Sequence, residues 1–138
     1  MIKYVLIPLF CACFILLGCV TTSSAKDFQL FNTDWRLDTL ASKHILSLSK
    51  VRMHFAKGSV AGSTGCNQFN ASYEEIGTRI KFSKATSTKM WCALPEGVMQ
   101  QESFFLKLLQ ESKSYAIEAG VLIFIGEDGT KLLVFSKQ

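Results

Sequence analysis

The sequence predicts an α+β domain in which one amphipathic helix covers an antiparallel sheet. Short apolar–polar alternations, punctuated by Gly and Asp, recur through residues 35–82 and again through 114–135. Between them a single window, 95–112, carries a helical period. Strands, one helix and then strands imply a helix packed on one face of an antiparallel sheet. The 138 residues are 49% hydrophobic and 19% charged, room for one domain with a real core, which excludes bulk disorder. The mean hydropathy of +0.24 owes much to the first 18 residues. A net charge of +4 with no basic run argues against a nucleic-acid binder.

In chain order, Trp35-Arg36-Leu37 alternates as a half-buried strand should, and 45–48 reads as a turn or a strand. Val51, Met53 and Phe55 share one face of a strand over 51–55, and Lys57-Gly58 turns the chain into another over 59–62. Residues 69–73 and 79–82 read as a hairpin across Glu75-Ile76-Gly77. Pro95 suits a first helical position and Glu96 the positive helix end. Val98, Phe105, Leu108 and Leu109 form the helix's apolar stripe, which Phe104 broadens, with Gln101 and Ser112 at its polar margins. Gln100, Lys107, Glu111 and Lys113 make the wet side. Strands follow over 114–118, 121–125 and 131–135, turned at Ala119-Gly120 and Glu127-Asp128-Gly129. Val121-Leu122-Ile123-Phe124-Ile125 is apolar throughout, so both its faces are expected to be buried, one under the helix.

The N-terminus reads as an address. Lys3 precedes 13 uncharged residues, 5–17, too few for a span of about 20 but suited to a secretory signal. The run ends Leu16-Leu17-Gly18-Cys19, which resembles a bacterial lipobox. The expected organisation is a lipoprotein signal over 1–18, a lipidated Cys19 with a polar tether over 19–30, and one domain over 31–138. Acyl chains on Cys19 would anchor the chain stably to a membrane. Val20 stands where enterobacterial-type sorting places Asp for inner-membrane retention, so the outer membrane, on its periplasmic side, is the expected site. Cys11 and Cys13 would leave with the signal, so the exported domain keeps Cys66 and Cys92. Such a pair invites a disulfide, with two buried free thiols as the alternative. Closing a loop of about 27 residues would stabilise the fold by about 3.5 kcal/mol.

One segment carries an identity. Gly62, Gly65, Cys66, Asn67, Phe69 and Tyr73 follow the order G-x-x-G-C-N-x-F-x-x-x-Y; Trp35 and Leu37 precede them as W-x-L, and Thr88, Met90 and Cys92 follow as T-x-M-x-C. Together these resemble the META domain family, which includes heat-inducible bacterial lipoproteins of the HslJ type. The resemblance extends through Gly129 and Phe135. Ala71 and Trp91 depart from the usual small residues, Gly in the first case. The resemblance implies a partly barrel-like sheet with one helix across it and no established reaction. Members are linked to envelope stress, novobiocin tolerance and, in some, virulence or secretion.

Read from the residues, most of the motif is architecture. Gly62 and Gly65 permit turn conformations, Asn67 tolerates a left-handed backbone and bonds its own loop, Phe69 and Tyr73 serve a core or rim, and Thr88 a strand or cap. No Gly-Lys-Ser/Thr follows the glycines, which speaks against a phosphate loop. The leading expectation is a non-enzymatic, lipid-anchored envelope protein that acts through a protein partner. The alternative is a binder of a small apolar ligand in a barrel-like cleft, lined by some of the 11 Phe, 3 Tyr and 2 Trp. A soft-metal or redox role for Met53, His54, Met90, Cys66 and Cys92 ranks lower, because Met53 and His54 should face opposite ways. No catalytic residue, metal site or cofactor is expected. His44 and His54 lack a placed nucleophile, and adjacent Glu74-Glu75 suits a solvated turn better than an acid–base couple.

Overall fold

The computed structural model describes residues 30–138; the expected signal, Cys19 and the tether up to residue 29 lie outside the described residues. In chain order the elements are β1 Thr33–Leu40, β2 Lys43–His44, β3 Val51–Ala56, β4 Ser59–Thr64, β5 Gln68–Ile76, β6 Arg79–Phe82, β7 Thr86–Ser87, α1 Val98–Glu111, β8 Ser114–Glu118, β9 Val121–Ile125 and β10 Lys131–Lys137. β1 pairs with β3 on one side and β10 on the other, so the strands β1-β3-β4-β5-β6-β8-β9-β10 close into an antiparallel barrel. The partly barrel-like sheet expected is thus a closed one. Short β2 and β7 flank it, paired with β1 and β5. The thinnest seam is β6–β8, which meets in register only at Arg79 and Ser114.

The alternation read from the sequence becomes an inside and an outside. Val51, Met53 and Phe55 of β3 are buried while Arg52 and His54 are exposed. The interior is filled with rings: Phe124 lies 5.4 Å from Phe82 and 5.8 Å from Phe135, and Phe55 lies 5.1 Å from Tyr73, all near edge-to-face. An eight-stranded barrel is just wide enough to be filled by its own side chains, and this one is. Trp35 is buried with them, its indole N–H donating to Thr33 Oγ1 at 2.8 Å. Residues 30–138 therefore enclose their own core and close their own sheet.

The helix begins later than its sequence suggests. The Leu94–Pro95 peptide is cis, Gly97 takes a left-handed conformation (φ 85°), and the first turn holds no acidic residue. Pro95 and Glu96 belong to the preceding turn, where Val98 N–H donates to Pro95 O at 3.0 Å. Gln101 and Ser112 are buried rather than marginal, and Phe104 faces outward. The helix packs on β10, β4 and β6, not chiefly on the apolar β9 strand. Leu122, Ile123 and Phe124 of that strand are nevertheless buried on alternating faces, while Val121 and Ile125 are half-buried.

The barrel has two distinct ends. At one, the chain enters β1, with Thr33 opposite Phe55, and the turns at Lys57-Gly58 and Gly77 lie nearby. At the other gather the β4–β5 turn, the long 88–97 loop, the 45–50 connection and the start of α1.

Candidate functional site

Gly65, Cys66 and Asn67 of the central motif lie at this second end, and the motif's two glycines have different backbone reasons. Gly65 has φ 104°, and a Cβ there would come within 2.4 Å of Ser49 Oγ, so the turn requires glycine. Gly62 is not in a turn. It lies in β4 opposite Met53, and a Cβ would sit 1.9 Å from the Arg52 carbonyl oxygen. It is glycine because the β3 backbone passes too close for any side chain.

Asn67 is buried and does not use the left-handed backbone it could tolerate. Its side chain reaches beyond its own loop. Oδ1 accepts from Thr88 Oγ1 at 2.7 Å and from Met90 N–H at 2.8 Å. Nδ2 donates to Met90 O at 3.2 Å and to Glu102 Oε1 at 2.9 Å. Both donors and both acceptor positions of the amide are therefore used. The Asn67 N–H reaches Glu102 Oε2 and Thr64 Oγ1, each at 3.1 Å, and the Thr64 hydroxyl lies against that same carboxyl oxygen.

Glu102 is the residue the sequence reading missed. It is 7% exposed, and among the described residues no cation pairs with its carboxyl group. Burying an acidic group without a counter-charge is costly unless hydrogen bonds replace the lost water. Asn67 and Thr64 supply them, and no buried polar side-chain atom among the described residues lacks a partner. The signal was present in the helix period: position 102 lies on the face of Val98, Phe105 and Leu109, an acid on the apolar stripe. Gln101 makes a second tie, its Oε1 accepting from Leu46 N–H at 2.8 Å and its Nε2 donating to Ser49 Oγ at 2.6 Å.

The remaining motif residues divide between this knot and the core. Phe69 packs edge-to-face on Phe105 of the helix, centroids 5.4 Å apart. Tyr73 is a core ring whose hydroxyl donates to Ala56 O at 3.1 Å. Burial, then the nearby Glu75 carboxylate, raises its pKa above the ordinary tyrosine value. Thr88 is exposed and also accepts from Gln68 N–H at 3.1 Å, so it braces the loop from outside any strand. Met90 contributes its backbone to the knot and leaves its side chain in solvent.

Cys66 and Cys92 form a disulfide, with Cα atoms 6.0 Å apart. The two cysteines the sequence pairs are thus at disulfide distance. Met53 and His54 face opposite sides of β3, and His54 Nδ1 meets Asp34 Oδ1 at 3.0 Å. Glu75 accepts from the Tyr115 hydroxyl at 3.0 Å. Among the described residues no three His, Cys, Asp or Glu side chains converge on one point. The described residues also include no helix long and apolar enough to cross a membrane.

These ties hold the 88–97 loop at three points, Thr88, Met90 and Cys92. From it project Met90, Trp91 and Leu94, exposed by 56%, 79% and 80%; on the adjoining 45–50 connection Leu48 is exposed by 78%. Large apolar side chains on a loop tied at three points form the most conspicuous surface feature of this end.

Comparison with known proteins places this geometry. The profile of the META domain matches residues 28–138. No curated protein matches the chain. Among solved structures, an NMR structure of a protein from Burkholderia xenovorans is 21% identical, with a TM-score of 0.63 over 79% of this chain and 83% of that one. A second NMR structure is 17% identical, with a TM-score of 0.60 over 76% of this chain and 88% of its own. At such identities the likeness is one of fold.

Proposed function

This chain belongs to the META domain family, and from that premise we propose that it is a non-enzymatic binding domain of the bacterial envelope. Lipid on Cys19 anchors it, and its disulfide end docks a protein partner, which supports the envelope under stress or drug challenge. The observation that carries the reading is the 88–97 loop. Trp91, Leu94 and Met90 stay in solvent while a disulfide and the Asn67 knot fix the backbone beneath them. Exposing Trp and Leu on a rigid loop costs solubility without stabilising the fold, whereas aromatic anchors presented in one conformation favour binding. The chain entry lies at the opposite barrel end, so a membrane-tethered domain can turn this loop away from the bilayer.

Two experiments test it. Intact mass from membrane fractions, with and without reduction before alkylation, should show a chain starting at Cys19 with acyl mass and two thiols blocked until reduction. A soluble chain without lipid would remove the anchor. In-cell crosslinking followed by purification should recover a partner with the native chain that a Trp91→Ser/Leu94→Ser variant loses. Equal recovery by both would place the interaction elsewhere.

A further inference from the structure

The barrel interior is packed, so any apolar ligand must bind on its outside. A groove of about 330 Å³ runs there between the β1–β3 connection and the first turns of α1. Leu40 and Leu46 line it with Gly97, Phe104 forms a wall, and Lys43 and His44 stand at its rim. No carboxylate lines it, and among the described residues neither basic group pairs with one. The groove is also preformed. Leu46 N–H is bonded to Gln101 Oε1, and Gln101 Nε2 to Ser49 Oγ, so the connection is tied to the helix through the Gln101 amide. Phe104, on the outward face of the helix, is exposed by 39%, a surplus aromatic that the core does not use.

We propose that this groove binds a single-chain fatty-acid anion, its acyl chain along Leu40, Leu46 and Phe104 and its carboxylate beside Lys43 and His44. A volume of about 330 Å³ suits a small ligand, near the lower end of the usual span of about 300–1,000 Å³. The charge selects the head group, because a carboxylate there meets Lys43, His44 and neutral Gln100 and no acidic neighbour. The groove shares only Gly97 with the 88–97 loop and is not lined by Trp91, and its occupancy does not depend on the protein-docking role.

The test is an NMR titration of the chain from Val20 to Gln138, which contains the self-enclosed barrel, with dodecanoate below its micellar concentration. Saturable one-to-one binding should shift amides over 40–46 and 97–104. Dodecanol and dodecyltrimethylammonium should each bind at least about tenfold more weakly, equivalent to about 1.4 kcal/mol. Phe104→Ser should weaken dodecanoate about tenfold and Lys43→Ala about threefold, both with otherwise native spectra. The proposal fails if nothing saturates, if the neutral or cationic amphiphile binds as tightly, or if shifts centre on residues 90–94. Trp91→Ser should leave dodecanoate affinity unchanged, which separates this site from the docking loop.

Discussion

Phe124 and Asn67 are both buried, yet opposite physics holds them. Phe124 touches rings, with Phe55, Phe82, Tyr115 and Phe135 all within 6.4 Å by centroid. Asn67 is held by polar atoms drawn from Thr64, Thr88, Met90 and Glu102. Ring contacts are less directional than hydrogen bonds, and a core assembled from them tolerates substitutions that keep its volume. A fully subscribed amide is directional, and removing one partner leaves others stranded. The barrel interior therefore supplies stability, while the knot supplies one loop geometry.

The sharpest blow to the barrel side of this comparison is Phe124→Ala. It should cost about 3–5 kcal/mol in denaturant unfolding, with the Cys66–Cys92 bridge still formed. Next is Cys92→Ser, which should cost about 3.5 kcal/mol. Hydrogen exchange should then quicken over 88–97 well before it does in β3 or β9. Glu102→Gln keeps the shape but sets an amide against the Asn67 donors, and should cost about 1–3 kcal/mol. Paired with Asn67→Ala in a double-mutant cycle, its loss should be less than additive; strictly additive losses would mean that the two side chains do not act together.

A smaller effect lies at high pH. The folded-state pKa of Tyr73 is raised above its ordinary 10.0 by burial first and Glu75 second. Its contribution is therefore complete below the unfolded value and fades as pH climbs through the folded one. Phenolate absorbance should show a late-titrating tyrosine that Tyr73→Phe removes. The smallest effect belongs to Trp91→Ser, which should change stability by less than about 0.5 kcal/mol while abolishing partner recovery.

The two regions also differ in how far the sequence discloses them. Val51, Met53 and Phe55 announce the barrel because a period of two is local, readable within five residues. The motif residues point to the right end of the molecule, but their chemistry is non-local. Asn67 meets Glu102 across 35 residues, and nothing near Asn67 names its partner. Gly62 looked like a turn glycine because the backbone that crowds it belongs to another strand. The helix start was obscured where Pro95 and Gly97 form a turn of their own before Val98. Barrel closure was equally hidden, since β1 and β10 pair from opposite ends of the described chain.

The most direct test of the central claim, that the knot exists to present the loop, is site-specific photocrosslinking in living cells. A benzophenone amino acid would replace the exposed Ala93, in the loop that carries Trp91, in one full-length chain and Lys57, at the opposite barrel end, in another. A defined protein adduct should form from position 93 and be lost when Glu102→Gln loosens the knot, with no such adduct from position 57. The same adducts from both positions, or none from position 93 in a correctly disulfide-bonded chain, would contradict it.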